Sequence, residues 1–145
     1  MKNVLVIDDD FDFREIFSLL LAEKDCAVWE ATSTEEAFEI LREEDPFDLI
    51  FCDLHLPFTL GKEADEYLYS AEVGMRTISE LNWVYRGQIP IIAMSAAPKS
   101  DFLTLQARLG DVPTLGKPVK QEVLDLLLAS PAEKLAPVRV EHQFV

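Results

Sequence analysis

The sequence predicts an α/β fold, a doubly wound parallel sheet with helices on both faces. Short runs rich in Val, Ile and Leu alternate along the chain with stretches whose apolar residues recur at helical spacing. The short runs are continuously apolar, as in strands buried on both faces. The polar residues with chemistry to offer fall at the ends of these runs and not inside them.

Residues 3–7 (NVLVI) form the first such run, β-branched and apolar. Asp10 or Asp12 can then cap a helix that carries Phe13, Ile16, Phe17, Leu20 and Leu21 along one side. Residues 27–31 (AVWEA) make the second strand. Ser33 and Glu36 stand in the S-x-x-E relation of a capping box, and Ala37, Ile40 and Leu41 follow at helical spacing. Pro46 breaks that helix, and 48–52 give the third strand. Residues 89–94 (IPIIAM) are the fourth. Pro98 starts a helix with Phe102, Leu103, Leu105 and Leu109 as its apolar members. Residues 112–115 (VPTL) are a weak fifth strand, and 119–129 (VKQEVLDLLLA) the last helix, stopped by Ser130 and Pro131.

Two segments stand outside this alternation. Residues 58–73 (FTLGKEADEYLYSAEV) lie between the third strand and its helix, and residues 131–145 trail off the end. The expected organisation is one domain over 1–130, with 58–73 as an insertion, and a C-terminal tail over 131–145.

Composition narrows the function classes. The formal net charge is −14, so phosphate backbones of DNA or RNA and anionic membrane surfaces are poor partners. A basic protein or a cation suits it better. Cys26 and Cys52 lack metal-ligand spacing and read as small reduced core residues. The N-terminal apolar run is too short for a signal peptide or a membrane span, so the expected location is the cytoplasm.

In an open parallel sheet, ligands bind at the carboxyl ends of the strands. The first strand here ends in Asp8 and Asp9, the third in Asp53, the fourth in Ser95, and the fifth near Lys117, which precedes Pro118. Each has an ordinary reading alone: a helix cap, a loop serine, a surface lysine. Together they place carboxylates, a hydroxyl and an ammonium on one edge. Like charges at the mouth of a buried strand repel, and a divalent cation offsets that cost. Oxygen ligands alone suit Mg²⁺, or Mn²⁺.

This pattern resembles the receiver domain of two-component response regulators. The residues that carry the resemblance are VLVIDDD with Asp8 and Asp9, DLIFCDLHLP with Asp53, IIAMSA with Ser95, and GKP with Lys117 and Pro118. It spans about residues 1–130. The resemblance implies a flavodoxin-like five-stranded sheet in the order 2-1-3-4-5. It implies phosphoryl transfer onto Asp53 from a histidine kinase or a histidine phosphotransfer protein. Mg²⁺ would be held by Asp8, Asp9, Asp53 and the backbone carbonyl of His55. Lys117 and Ser95 would contact the phosphoryl oxygens, and Lys117 would pair with Asp53 before phosphorylation. A cis bond before Pro118 is also implied.

Three departures bear on output. Leu56 replaces the usual methionine before Pro57, a mild change. Thr114 stands where the family often carries the aromatic ring that moves with the hydroxyl residue, so the switch formed by Ser95 and position 114 is in doubt. The family's glycine after the proline is best matched by Gly74, which leaves the long 58–73 insert. That insert reads either as a solvated extension of the third helix or as a docking lid, with Tyr67 and Tyr69 as contact residues. The His55 side chain reads as an exposed loop histidine, against a place at the pocket rim, where it would tune access of water to the acyl phosphate, as the alternative. In the tail, Val138, Val140, His142 and Phe144 alternate as in an added edge strand, against an unstructured end as the alternative.

With only fifteen residues after Ser130, the expectation is a stand-alone receiver that signals by protein contact through an unnamed output partner, with a homodimer left open. Such a protein is no conventional enzyme; it catalyses only its own phosphorylation and dephosphorylation. The rival from another class is a phosphate-independent interaction module. A Mg²⁺-dependent aspartyl phosphatase is weaker, because DLH lacks the second Asp that would act as general acid.

Overall fold

The alternation of apolar runs becomes five strands and five helices in the computed structural model, which describes residues 1–44, 46–56 and 71–129. The strands are β1 (Lys2–Ile7), β2 (Cys26–Ala31), β3 (Leu49–Asp53), β4 (Ile91–Ser95) and β5 (Thr114–Gly116). The helices are α1 (Phe11–Glu23), α2 (Thr34–Glu43), α3 (Ala71–Val84), α4 (Lys99–Leu109) and α5 (Gln121–Ala129). The strand order is β2-β1-β3-β4-β5, and every pairing is parallel.

The two-residue period of a strand explains why the runs are apolar throughout. Leu5, Ile7, Ile50, Cys52, Ile91 and Ala93 pack on one face with α2 and α3. Val4, Val6, Phe51, Ile92, Met94 and Leu115 pack on the other with α1 and α5. Phe17 of α1 meets Phe51 edge to face at 5.0 Å, a ring contact that fixes α1 over the centre of the sheet.

The helices bury narrower stripes than the sequence pattern suggests. Phe17 and Leu21 of α1 are buried, but Ile16 is 68% exposed, because it lies about 100° round the helix from Phe17. Leu103 of α4 is exposed for the same reason, beside buried Phe102. The capping box over Ser33 is also altered. Ser33 Oγ accepts the Glu36 N–H at 3.1 Å, but Glu36 Oε1 accepts from the N–H and hydroxyl of Thr32, one residue earlier, at 2.7 and 2.9 Å. Strands β4 and β5 begin two residues later than their sequence runs, at Ile91 and Thr114.

Gly74 sits in the first turns of α3, whose first residues, 71–73, are the last of the 58–73 stretch. A Cβ on Gly74 would lie 2.2 Å from Leu54 Cα, and the Gly74 N–H donates to the Leu54 carbonyl at 2.9 Å. The missing side chain lets α3 lie directly on the backbone just after Asp53. The rest of the insertion and the tail, including Tyr67, Tyr69, Val138, Val140, His142 and Phe144, lie outside the described residues.

Candidate functional site

The carboxyl ends of β1, β3 and β4, with the loop after β5, converge on one edge of the sheet. The three consecutive aspartates after β1 there take separate roles. Asp8 is fully buried, and its N–H donates to Ala31 O at 2.9 Å, which extends the β1–β2 ladder by one rung. Its Oδ1 accepts the Asp10 N–H at 2.9 Å, and its Oδ2 lies 2.8 Å from Lys117 Nζ. Asp9 is half-buried beside it. Asp10 caps α1 by accepting the Phe13 N–H at 3.2 Å, and Asp12 follows in the first turn, where the helix dipole favours negative charge. Of the two capping candidates the structure uses Asp10.

Asp53 closes β3 and is 3% exposed. Its Oδ1 accepts the His55 N–H at 3.3 Å, and its Oδ2 lies 3.5 Å from Lys117 Nζ. Ligand oxygens of Asp8, Asp9 and Asp53 all fall within 4.8 Å of one another. Burial, then the Asp8 charge, push the Asp53 carboxyl up to about 7, against the pull of Lys117 and the His55 N–H. An all-oxygen donor set with this much crowded negative charge fits a hard divalent cation.

Lys117 follows β5, its backbone N–H donating to Ser95 O at 2.9 Å, and its bond to Pro118 is cis. Its ammonium also lies 4.4 Å from the centre of the Phe13 ring. Burial pulls its pKa down, but Asp53 and Asp8 outweigh that and raise it. Lys117 bridges the two carboxylates, and the closer ion pair is with Asp8, not Asp53.

Ser95 ends β4 and is fully buried. Its Oγ accepts the Ala97 N–H at 3.0 Å and stands 3.4 Å from His55 Nε2. His55 is therefore half-buried over the site, and not the exposed loop residue expected from its position. Thr114 is fully buried at the start of β5, its hydroxyl donating to Val112 O at 3.3 Å.

Sequence reasoning missed Arg14. It lies on the buried side of α1 with Phe17 and Leu21, its Nη1 donating to the Asp8 carbonyl at 2.7 Å and its Nε to Glu30 Oε1 on β2 at 2.6 Å. The signal was present: a charged residue three places before Phe17 in the apolar pattern needs a buried partner. The two thiols are free and buried, and burial raises both; Cys26 on β2 and Cys52 on β3 are separated by β1.

The family description "Response regulator receiver domain" matches residues 4–129. Among curated proteins, the chain is 31% identical over 118 residues to hybrid signal transduction histidine kinase E of Dictyostelium discoideum, covering 81% of this chain and 6% of that protein. It is 29% identical over 109 residues to response regulator protein PilR of Pseudomonas aeruginosa, covering 75% of this chain and 24% of that one. The chain thus spans a quarter or less of these relatives. A solved response regulator from Burkholderia pseudomallei, described with a phosphorylated aspartic acid, calcium ion and citrate, superposes with a TM-score of 0.67 at 25% identity, covering 99% of this chain and 74% of that one.

Proposed function

The chain belongs to the response regulator receiver domain family, and from that premise we propose that Asp53 accepts a phosphoryl group from a phosphohistidine on a histidine kinase or phosphotransfer protein. The observation that carries this is the convergence of the Asp8, Asp9 and Asp53 oxygens within 4.8 Å, with Lys117 bridging Asp8 and Asp53. An Asp53 oxygen attacks phosphorus in line, the new O–P bond forms, the P–N bond to the donor imidazole breaks, and that imidazole leaves with its proton.

Asp8, Asp9, Asp53 and the His55 carbonyl would hold Mg²⁺, or Mn²⁺ on the same oxygen set. When bound, the cation neutralises charge on the phosphoryl oxygens. Lys117 is placed to neutralise another of them. The Ser95 hydroxyl donates to a third, exchanging its place beside His55 for the phosphoryl oxygen. The acyl phosphate is then read by protein contact, which the net charge of −14 favours over nucleic acid or an anionic membrane. Among the described residues no helix is long and apolar enough to cross a membrane.

The test is phosphorylation by acetyl phosphate, followed by intact mass. One added phosphoryl group that requires Mg²⁺ and disappears in Asp53→Ala is the expected result. Absence of the adduct, under conditions that modify an ordinary receiver, would overturn the proposal. A phosphate-independent interaction module would then take its place, consistent with Thr114 leaving no ring on β5 to report on Ser95.

A further inference from the structure

Arg14 occupies a core position that an apolar residue would fill at lower electrostatic cost. Its guanidinium is used as a clamp. One edge takes the Asp8 carbonyl at 2.7 Å and another the Glu30 carboxylate at 2.6 Å, while its carbon centre lies 5.7 Å from the Phe11 ring centre. The Asp8 backbone is thereby tied on both sides, its N–H to Ala31 and its carbonyl to Arg14.

The Asp8 carbonyl lies in the same rigid peptide plane as the Asp9 N–H. Fixing the direction of that carbonyl fixes the plane, and the plane sets where the Asp9 Cα goes, the point from which its side chain reaches the site. We infer that Arg14 is a positioning residue that locks the Asp8–Asp9 peptide and so presents Asp9 to the cation site, with Glu30 on β2 holding the clamp. This rests on the reading of the site given above. Asp8 itself has two further anchors on its side chain, the Asp10 N–H and Lys117.

The test uses the full chain with Arg14→Met, Arg14→Lys and Glu30→Gln. Mg²⁺ affinity is measured by titration calorimetry, and the acetyl phosphate reaction is followed against Mg²⁺ concentration. Groups that orient a metal's ligands are worth roughly 10- to 100-fold in affinity, so Arg14→Met should weaken Mg²⁺ binding about tenfold. The rate at saturating Mg²⁺ should fall much less, because Asp53, Ser95 and Lys117 are untouched. Arg14→Lys should lie between, since an ammonium is a point charge without the planar fork that serves two acceptors at once. Glu30→Gln, at a carboxylate 42% exposed, should fold normally and weaken Mg²⁺ binding mildly.

A purely structural arginine gives the opposite split: lower stability with unchanged Mg²⁺ affinity, and that result overturns the inference. If Arg14→Met fails to fold, the other variants decide it, and wild-type Mg²⁺ affinity in both Arg14→Lys and Glu30→Gln overturns it. Wild-type protein that binds no Mg²⁺ and takes no phosphoryl group defeats the underlying reading of the site. Active wild type with variants indistinguishable from it defeats only the role of Arg14.

Discussion

Asp53 sits where its charge is disfavoured, and that cost has a measurable sign. Its carboxyl is pushed up to about 7 from an ordinary 3.8 by burial and by Asp8. Between those values the native state keeps a proton that the unfolded chain has released. Stability of the metal-free protein therefore falls as pH rises through that window and levels off above it. Lys117, whose pKa is also raised, works in the same sense, but the loss of its ion pairs falls at alkaline pH, outside the window. Asp53→Asn removes the buried charge and keeps the shape. In chelator at about pH 8 the variant should be more stable than wild type by up to roughly 4 kcal/mol, and the two should converge near pH 4. Urea unfolding across that range checks it. A gap of the same size at every pH, or a less stable variant at the alkaline end, would mean that the Asp53 charge is not what strains the pocket.

At the scale of elements, the position of α3 is set by one absent side chain. With 2.2 Å between a Gly74 Cβ and Leu54 Cα, Gly74→Ala has to push α3 off the backbone that follows Asp53. Backbone does not yield as a flexible side chain would, so the loss should be about 3 kcal/mol or more in urea unfolding. A variant within about 1 kcal/mol of wild type would show that α3 can slide. The strands were legible because burial on both faces leaves continuous apolar runs, and Asp8, Asp9, Asp53, Ser95 and Lys117 were legible because each stands where such a run ends. Helix faces were less so: Phe13, Ile16, Phe17 and Leu20 all look apolar in sequence, and only packing selects Phe17 for the core and leaves Ile16 in solvent. The Glu30 partner of Arg14 and the His55–Ser95 contact were not read because each pair is distant in the chain, and only the packing of α1 on β2 and the pairing of β3 with β4 bring them together.

For the whole molecule the dominant quantity is charge. There are 27 acidic residues against 13 Lys and Arg, so the folded chain repels itself at neutral pH. Some of this is answered locally: Lys24, just after α1, pairs with Asp125 of α5, and Arg108 of α4 with Glu72 of α3 at 2.8 Å. Exposed pairs of this kind contribute little, and most of the repulsion is left to solvent ions. Any salt should therefore raise stability by screening. A cation bound at the Asp8, Asp9 and Asp53 cluster adds a term that screening does not supply, about 2.7 kcal/mol when its concentration is a hundred times its Kd. The two effects separate at matched ionic strength. MgCl₂ should raise the urea midpoint above KCl in wild type, and Asp9→Ala should lose that difference while keeping its response to KCl. If MgCl₂ and KCl stabilise wild type equally, the acidic edge holds only a diffuse ion atmosphere. If Asp9→Ala keeps the full Mg²⁺ increment, the cation sits elsewhere on the acidic surface.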